Sequence, residues 1–207
     1  ARELGERFTL EELEPQAAGR IAHHFDLGSE EERALHYYRR AAQQAKAVFA
    51  WQAAVTIHSR MLELLDWLDP ARSNAESLAH RGEILASRAH LRFLQGRPEE
   101  WDADLAALDA LAASSDDDGL RLLTALHQVR YHNLGGRYGD AIAEGKRGIV
   151  LARRLNDTAA ESRLLAKIGF AHYFLGNPQP ALVALESGMG VSGEQMDPIS
   201  RGRISHI

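Results

Sequence analysis

The side chains of this sequence that could do chemistry include ten histidines and twenty-nine carboxylates, and no cysteine. His23 and His24 are adjacent, a pairing that invites a metal ion. Neighbouring residues of a helix point about 100° apart, so on a helix the two imidazoles cannot readily chelate one ion. His127 and His132 lie off a common helix face, and His132 and His172 occupy equivalent places in a repeat described below. No His-x-x-x-His with a nearby acid occurs, which is the spacing a helical zinc site needs. Asp116, Asp117 and Asp118 could gather round a cation, yet they lack the alternating ligand spacing of a calcium loop, and a solvated loop capping the next helix is expected. Gly139 to Lys146 looks like a phosphate loop at first glance, but its glycine spacing is wrong and no Ser or Thr follows the lysine. No serine stands in a triad context. The residues therefore point to no catalytic group, no metal and no cofactor. The lack of cysteine excludes disulfides and fits a reducing, cytoplasmic setting.

The elements that must position these residues read as paired helices. Leu164–Leu185 carries an apolar helix face (Leu165, Ile168, Gly169, His172), a turn at Leu175-Gly176-Asn177, and a second helix opened by Pro178 and Pro180. The pattern recurs every 40 residues: Gly96, Gly136 and Gly176; Leu85, Ala125 and Leu165; Ala89, Val129 and Gly169; Leu94, Leu134 and Phe174; Trp101, Ala141 and Ala181; Leu108, Gly148 and Gly188. A period of this length built on helix–turn–helix units marks an α-solenoid. Helices are expected at 13–27, 30–49, 51–67, 72–95, 98–112, 118–134, 138–154, 158–175 and 178–190, with a Ser29–Glu32 capping box opening the second. The fold class expected is all-α, a right-handed α-α superhelix of about nine helices, with no sheet. Residues 1–70 read as leading helices, 71–199 as three repeats and 200–207 as the start of a further one. The abrupt ends suggest a piece excised from a longer protein.

At 45% apolar content a core can form, and no apolar run approaches the ~20 residues of a membrane span. A net charge of −5 with no basic patch argues against direct nucleic-acid binding.

The order Leu165, Ile168, Gly169, His172, Gly176, Ala181 resembles the tetratricopeptide repeat. Residues 120–155 match it less fully through Ala125, Val129, His132, Gly136, Tyr138 and Ala141. Residues 80–112 match weakly: Arg92 stands where an aromatic is usual, and Trp101 replaces the small alanine, so the second helix there should pack further out or tilt. The resemblance implies that the first helix of each repeat lines a groove. The groove-facing positions would be Glu83, Ala86, His90 and Phe93; Leu123, Leu126, Arg130 and Asn133; and Arg163, Ala166, Phe170 and Tyr173. Of these, His90, Phe93, Arg130, Asn133, Arg163, Phe170 and Tyr173 are the binding candidates, because aromatic and Arg side chains dominate binding hot spots. Packing between repeats is the competing role for Leu123, Leu126 and Phe170. Arg130, Asn133 and Arg163 do not reproduce the arrangement that clamps a peptide carboxylate.

Arg20–Leu64 carries a second resemblance, through Arg20-Ile21-Ala22-His23-His24-Phe25, the small-residue run Ala34, Tyr38, Ala41, Ala42 and Ala45, and Phe49-Ala50-Trp51 leading to Met61-Leu62-Glu63-Leu64. It is similar to the segment that joins the ATPase module to the repeat region in large bacterial signalling ATPases, including LuxR-type and Streptomyces-antibiotic-regulator-type transcriptional activators. It implies a non-catalytic sensor or scaffold segment, with a protein, a peptide or a small inducer as partner and an adjacent ATPase module. A free-standing adaptor for a partner peptide, or a self-associating homo-oligomer, is the alternative.

Overall fold

The structure, a computed structural model, describes residues 17–192. Among the described residues there are nine helices and no strand: α1 (Ala17–Leu27), α2 (Glu31–Ala47), α3 (Trp51–Leu68), α4 (Ala75–Leu94), α5 (Pro98–Ser114), α6 (Asp118–Leu134), α7 (Tyr138–Arg154), α8 (Thr158–Phe174) and α9 (Pro178–Ser192). The chain is an all-α helical repeat. The expected first turn of the opening helix and the further unit at 200–207 lie outside the described residues. The chain divides into two compact units after Leu108, inside α5.

The turns explain the regularity. Gly96, Gly136 and Gly176 have φ of 68°, 71° and 73°, the left-handed conformation that only glycine adopts without cost. Each is followed by an amide that reaches back five residues: Arg97 N–H donates to Arg92 C=O at 3.0 Å, Arg137 to His132 at 2.8 Å and Asn177 to His172 at 3.0 Å. This closure satisfies carbonyls that a helix end leaves open. Asp117 and Asp157, again 40 residues apart, cap the following helices. The Asp117 carboxylate accepts from the N–H groups of Gly119 and Leu120, and that of Asp157 from Ala160. Asp117 is thus a helix cap, the role expected for the acidic run.

One cap differs from expectation. Ser29 does not form a capping box with Glu32: the N-cap of α2 is Glu30, without a side-chain bond. Ser29 instead takes φ of 54° and serves as the left-handed residue closing α1, where Glu30 N–H donates to Phe25 C=O at 3.0 Å. The turn needed a left-handed residue more than the helix needed a cap, and serine's side chain cannot fill both posts.

In the first unit, α1 packs on α2, α2 on α3, and α3 on α4. Phe25, Tyr37, Tyr38, Met61, Leu64 and Leu65 form the centre, with Phe25 stacked on Tyr37 at 5.4 Å. The alanine stripe of α2 is buried at Ala34, Ala41 and Ala42, which brings the helices close. Arg81, only 3% exposed, ends α3: its guanidinium donates to Leu65 C=O at 2.5 Å and Asp69 C=O at 3.1 Å, and it pairs with Asp66.

In the second unit, α6 packs on α7, α7 on α8, and α8 on α9, with α6 also meeting α8. Contact with the next neighbour but one is what stacked helix pairs require. Volume is traded between neighbouring helices. On α7, Gly145 makes room for Ile168 of α8: a Cβ on that glycine would stand 2.7 Å from Ile168, against 3.7 Å from Val129 of α6. In α8–α9, Gly169 is the small partner, and a Cβ there would stand 2.7 Å from Leu185. The equivalent positions in α4–α5 are Ala89 and Leu105, both buried.

Candidate interaction surface

The seven binding candidates do not form one site. His90 and Phe93 belong to the first unit, and Arg130, Asn133, Arg163, Phe170 and Tyr173 to the second. His90 and Phe93 are half-buried, and Phe93 lies against Trp101 at 4.9 Å. Trp101 therefore fills space beside α4 that a small residue would leave empty.

On α6 the positions expected to face a groove are used for packing. Leu123 and Leu126 are half-buried, and Leu126 joins the core of the second unit. Asn133 Nδ2 donates to Lys167 C=O on α8 at 3.2 Å, so it ties one helix pair to the next. Arg130 is half-buried, and desolvation holds its guanidinium below the ordinary range.

The same face of α8 is open. Phe170 is 46% exposed, Tyr173 51% and Phe174 52%. Phe170 meets Phe174 at 4.5 Å, Tyr173 meets it edge-on at 5.5 Å, and Tyr138 at the start of α7 stacks on it at 5.3 Å. Arg163, two turns earlier on α8, is also exposed. Three aromatics at steps of three and four share one helix face, so mutual ring contact holds the patch in shape. Four pre-positioned rings with an arginine nearby make a surface able to take apolar anchors and one anionic group. Phe174 and Tyr138 were missed by groove alignment. Their signal is Phe174 in the large apolar column and Tyr138 just past the glycine turn.

A polar cluster inside α4–α5 was also missed. Asp104 is 2% exposed and is held by Arg88 at 2.6 Å and Arg92 at 2.7 Å; Arg88 also donates to Ser59 at 2.9 Å. The equivalents of Arg88 and Asp104 in α8–α9 are Ile168 and Ala184, both buried in apolar packing. Where the sequence puts Arg92 in an aromatic column, the structure makes an ion pair. A buried carboxylate is tolerable when charge-assisted bonds surround it, as here.

His23 and His24 are exposed, and His132 and His172 half-buried. Among the described residues, no three His, Asp or Glu side chains come together as a metal site, and no helix is long and apolar enough to cross a membrane. No family model matches the chain, and no curated protein matches it.

Proposed function

We propose that this chain is a non-catalytic interaction segment of a larger bacterial signalling or transcription-regulatory ATPase, with tetratricopeptide-like repeats that capture a protein or peptide. The observation that carries the capture is the open aromatic face of α8, where Phe170, Tyr173 and Phe174 each remain about half exposed, while Arg130 and Asn133, the α6 equivalents of Phe170 and Tyr173, are half-buried. The suggested occupant is an extended or helical segment with apolar anchors and an acidic residue for Arg163, bound without direct nucleic-acid or membrane contact. The parentage rests on the Arg20–Leu64 resemblance. Occupation of the face would bias the neighbouring ATPase through differential affinity for two states, and a small inducer could act by the same linkage.

Two experiments test this. Phe170→Ser with Tyr173→Ser, both on the surface, should abolish partner pull-down by the parent protein while far-UV circular dichroism stays unchanged; retained capture sinks the α8 surface. A parent gene product without a nucleotide-binding module ahead of Ala1 would sink the parentage. The exposed rings also favour a second reading, self-association of an adaptor through α8. Light scattering decides it: a monomer at high concentration removes that reading, and a dimer lost on the double substitution supports it.

A further inference from the structure

A cavity of about 150 Å³ opens in the first unit, lined by Arg39 and Lys46 on α2, His58 on α3, and Glu83 and Ser87 on α4. Met61 and Ile84 supply apolar wall. Its charges are left unused. Arg33, Arg60, Arg81, Arg88 and Arg92 in the same unit each meet a carboxylate. Arg39, by contrast, has no ion-pair partner among the described residues, and neither has Glu83. Lys46 has a single weak bond, 3.4 Å to the Ser87 hydroxyl.

His58 is 4% exposed, and its Nδ1 lies 2.6 Å from Ala54 C=O. A carbonyl so close requires the proton on Nδ1, which leaves Nε2 as an acceptor. The cavity thus combines two cations without a carboxylate partner, one unpaired carboxylate, an apolar wall and a buried neutral acceptor. An engineered cavity of about this volume takes a benzene ring. We propose that this cavity binds a small organic carboxylate, with an apolar body of about ring size against Met61 and Ile84 and its charge on Arg39 and Lys46. A hydroxyl or N–H on the ligand would find its acceptor at His58. The unpaired Glu83 disfavours anions of higher charge.

The test is calorimetric titration of the whole chain with benzoate, 4-hydroxybenzoate, neutral benzamide and inorganic phosphate. Benzoate should bind at least about tenfold more tightly than benzamide, as expected for charge-assisted bonds. The hydroxylated probe should bind no more weakly than benzoate, and phosphate should be weaker than both. Arg39→Gln, on an exposed position of α2, should cost about tenfold with unchanged circular dichroism, and so should Lys46→Gln. Ser87→Leu, which fills the cavity, should abolish binding. Equal affinity for benzamide, phosphate binding as tightly as benzoate, an unaffected Arg39→Gln, or no binding of benzoate at about 10 mM would each overturn the proposal. These variants leave α8 untouched, so failure here does not bear on the aromatic surface.

Discussion

One methyl group added at Gly169 tests how the helix pairs are packed. A Cβ there would stand 2.7 Å from Leu185 Cγ, 2.9 Å from its Cδ2 and 3.2 Å from the Ala181 carbonyl oxygen. Carbon atoms are at ease at about 3.5–4.0 Å, so Leu185 must retreat or α9 must move. Overpacking of this kind costs about 1–3 kcal/mol, while glycine-to-alanine in a helix returns about 1 kcal/mol. Gly169→Ala should therefore destabilise by roughly 1 kcal/mol, or about 2–4 °C in Tm for a chain of this size. Leu185→Ala alone should cost about 2–4 kcal/mol through the space it empties. In the double variant the new methyl enters that space, so the combined loss should fall short of the sum by about 1–2 kcal/mol. Gly190→Ala is the control: nothing lies within 4 Å of its Cβ, so it should stabilise by up to about 1 kcal/mol. Urea unfolding followed by circular dichroism measures all four proteins. A Gly169→Ala protein as stable as the parent, with additive behaviour in the double variant, would refute the close-approach argument.

Three further predictions follow from the same geometry. Asp104→Ala should cost about 3–5 kcal/mol in urea unfolding, because Arg88 and Arg92 would be left facing one another without their shared carboxylate. Ser29→Gly should stabilise by about 0.5–1 kcal/mol, since Ser29 pays for a left-handed backbone; a loss of stability would instead mark it as a cap. Burial holds the His58 and His132 pKa below the ordinary 6.5. Unfolded histidines accept protons there that the folded ones refuse, so stability should fall as pH drops through 6.5, and His58→Gln should flatten that slope between about pH 7.5 and 5.5. Asp26, whose carboxyl is held below its ordinary 3.8 by Arg60 and Tyr38, contributes stability above 3.8 that is lost only at lower pH, outside that window.

The helices and their spacing were legible because turn chemistry is local. A glycine that must be left-handed, an Asp that caps and a proline that opens a helix each act within five residues, and the return of the glycine every 40 residues, with the apolar columns around it, exposed the architecture. The helix limits expected for α6 and α7 match the structure to the residue. The interaction surface was less legible, because a helix face does not reveal whether another helix covers it. Arg130 and Phe170 occupy equivalent positions, yet one is half-buried and the other open. Leu126 packs on the core of the second unit, the competing role weighed for it, whereas Asn133, expected to face a groove, bonds α8 instead. The Arg88–Asp104–Arg92 cluster escaped notice because each residue reads alone as solvated surface. Reading Arg88 against Ile168, and Asp104 against Ala184, would have shown charges in a column that elsewhere is core.

Gly145 makes way for Ile168 and Gly169 for Leu185, so these helix contacts differ in interior shape. The charged centre of α4–α5 adds a difference of polarity to that difference of size. The three blocks look alike in outline but are not interchangeable parts. A chimera that grafts α9 behind α6 would set Leu185 against Val129, two large residues where one fits. Each helix thus carries an address that only its own neighbour can read, which keeps a chain of near-copies from closing up with a block skipped.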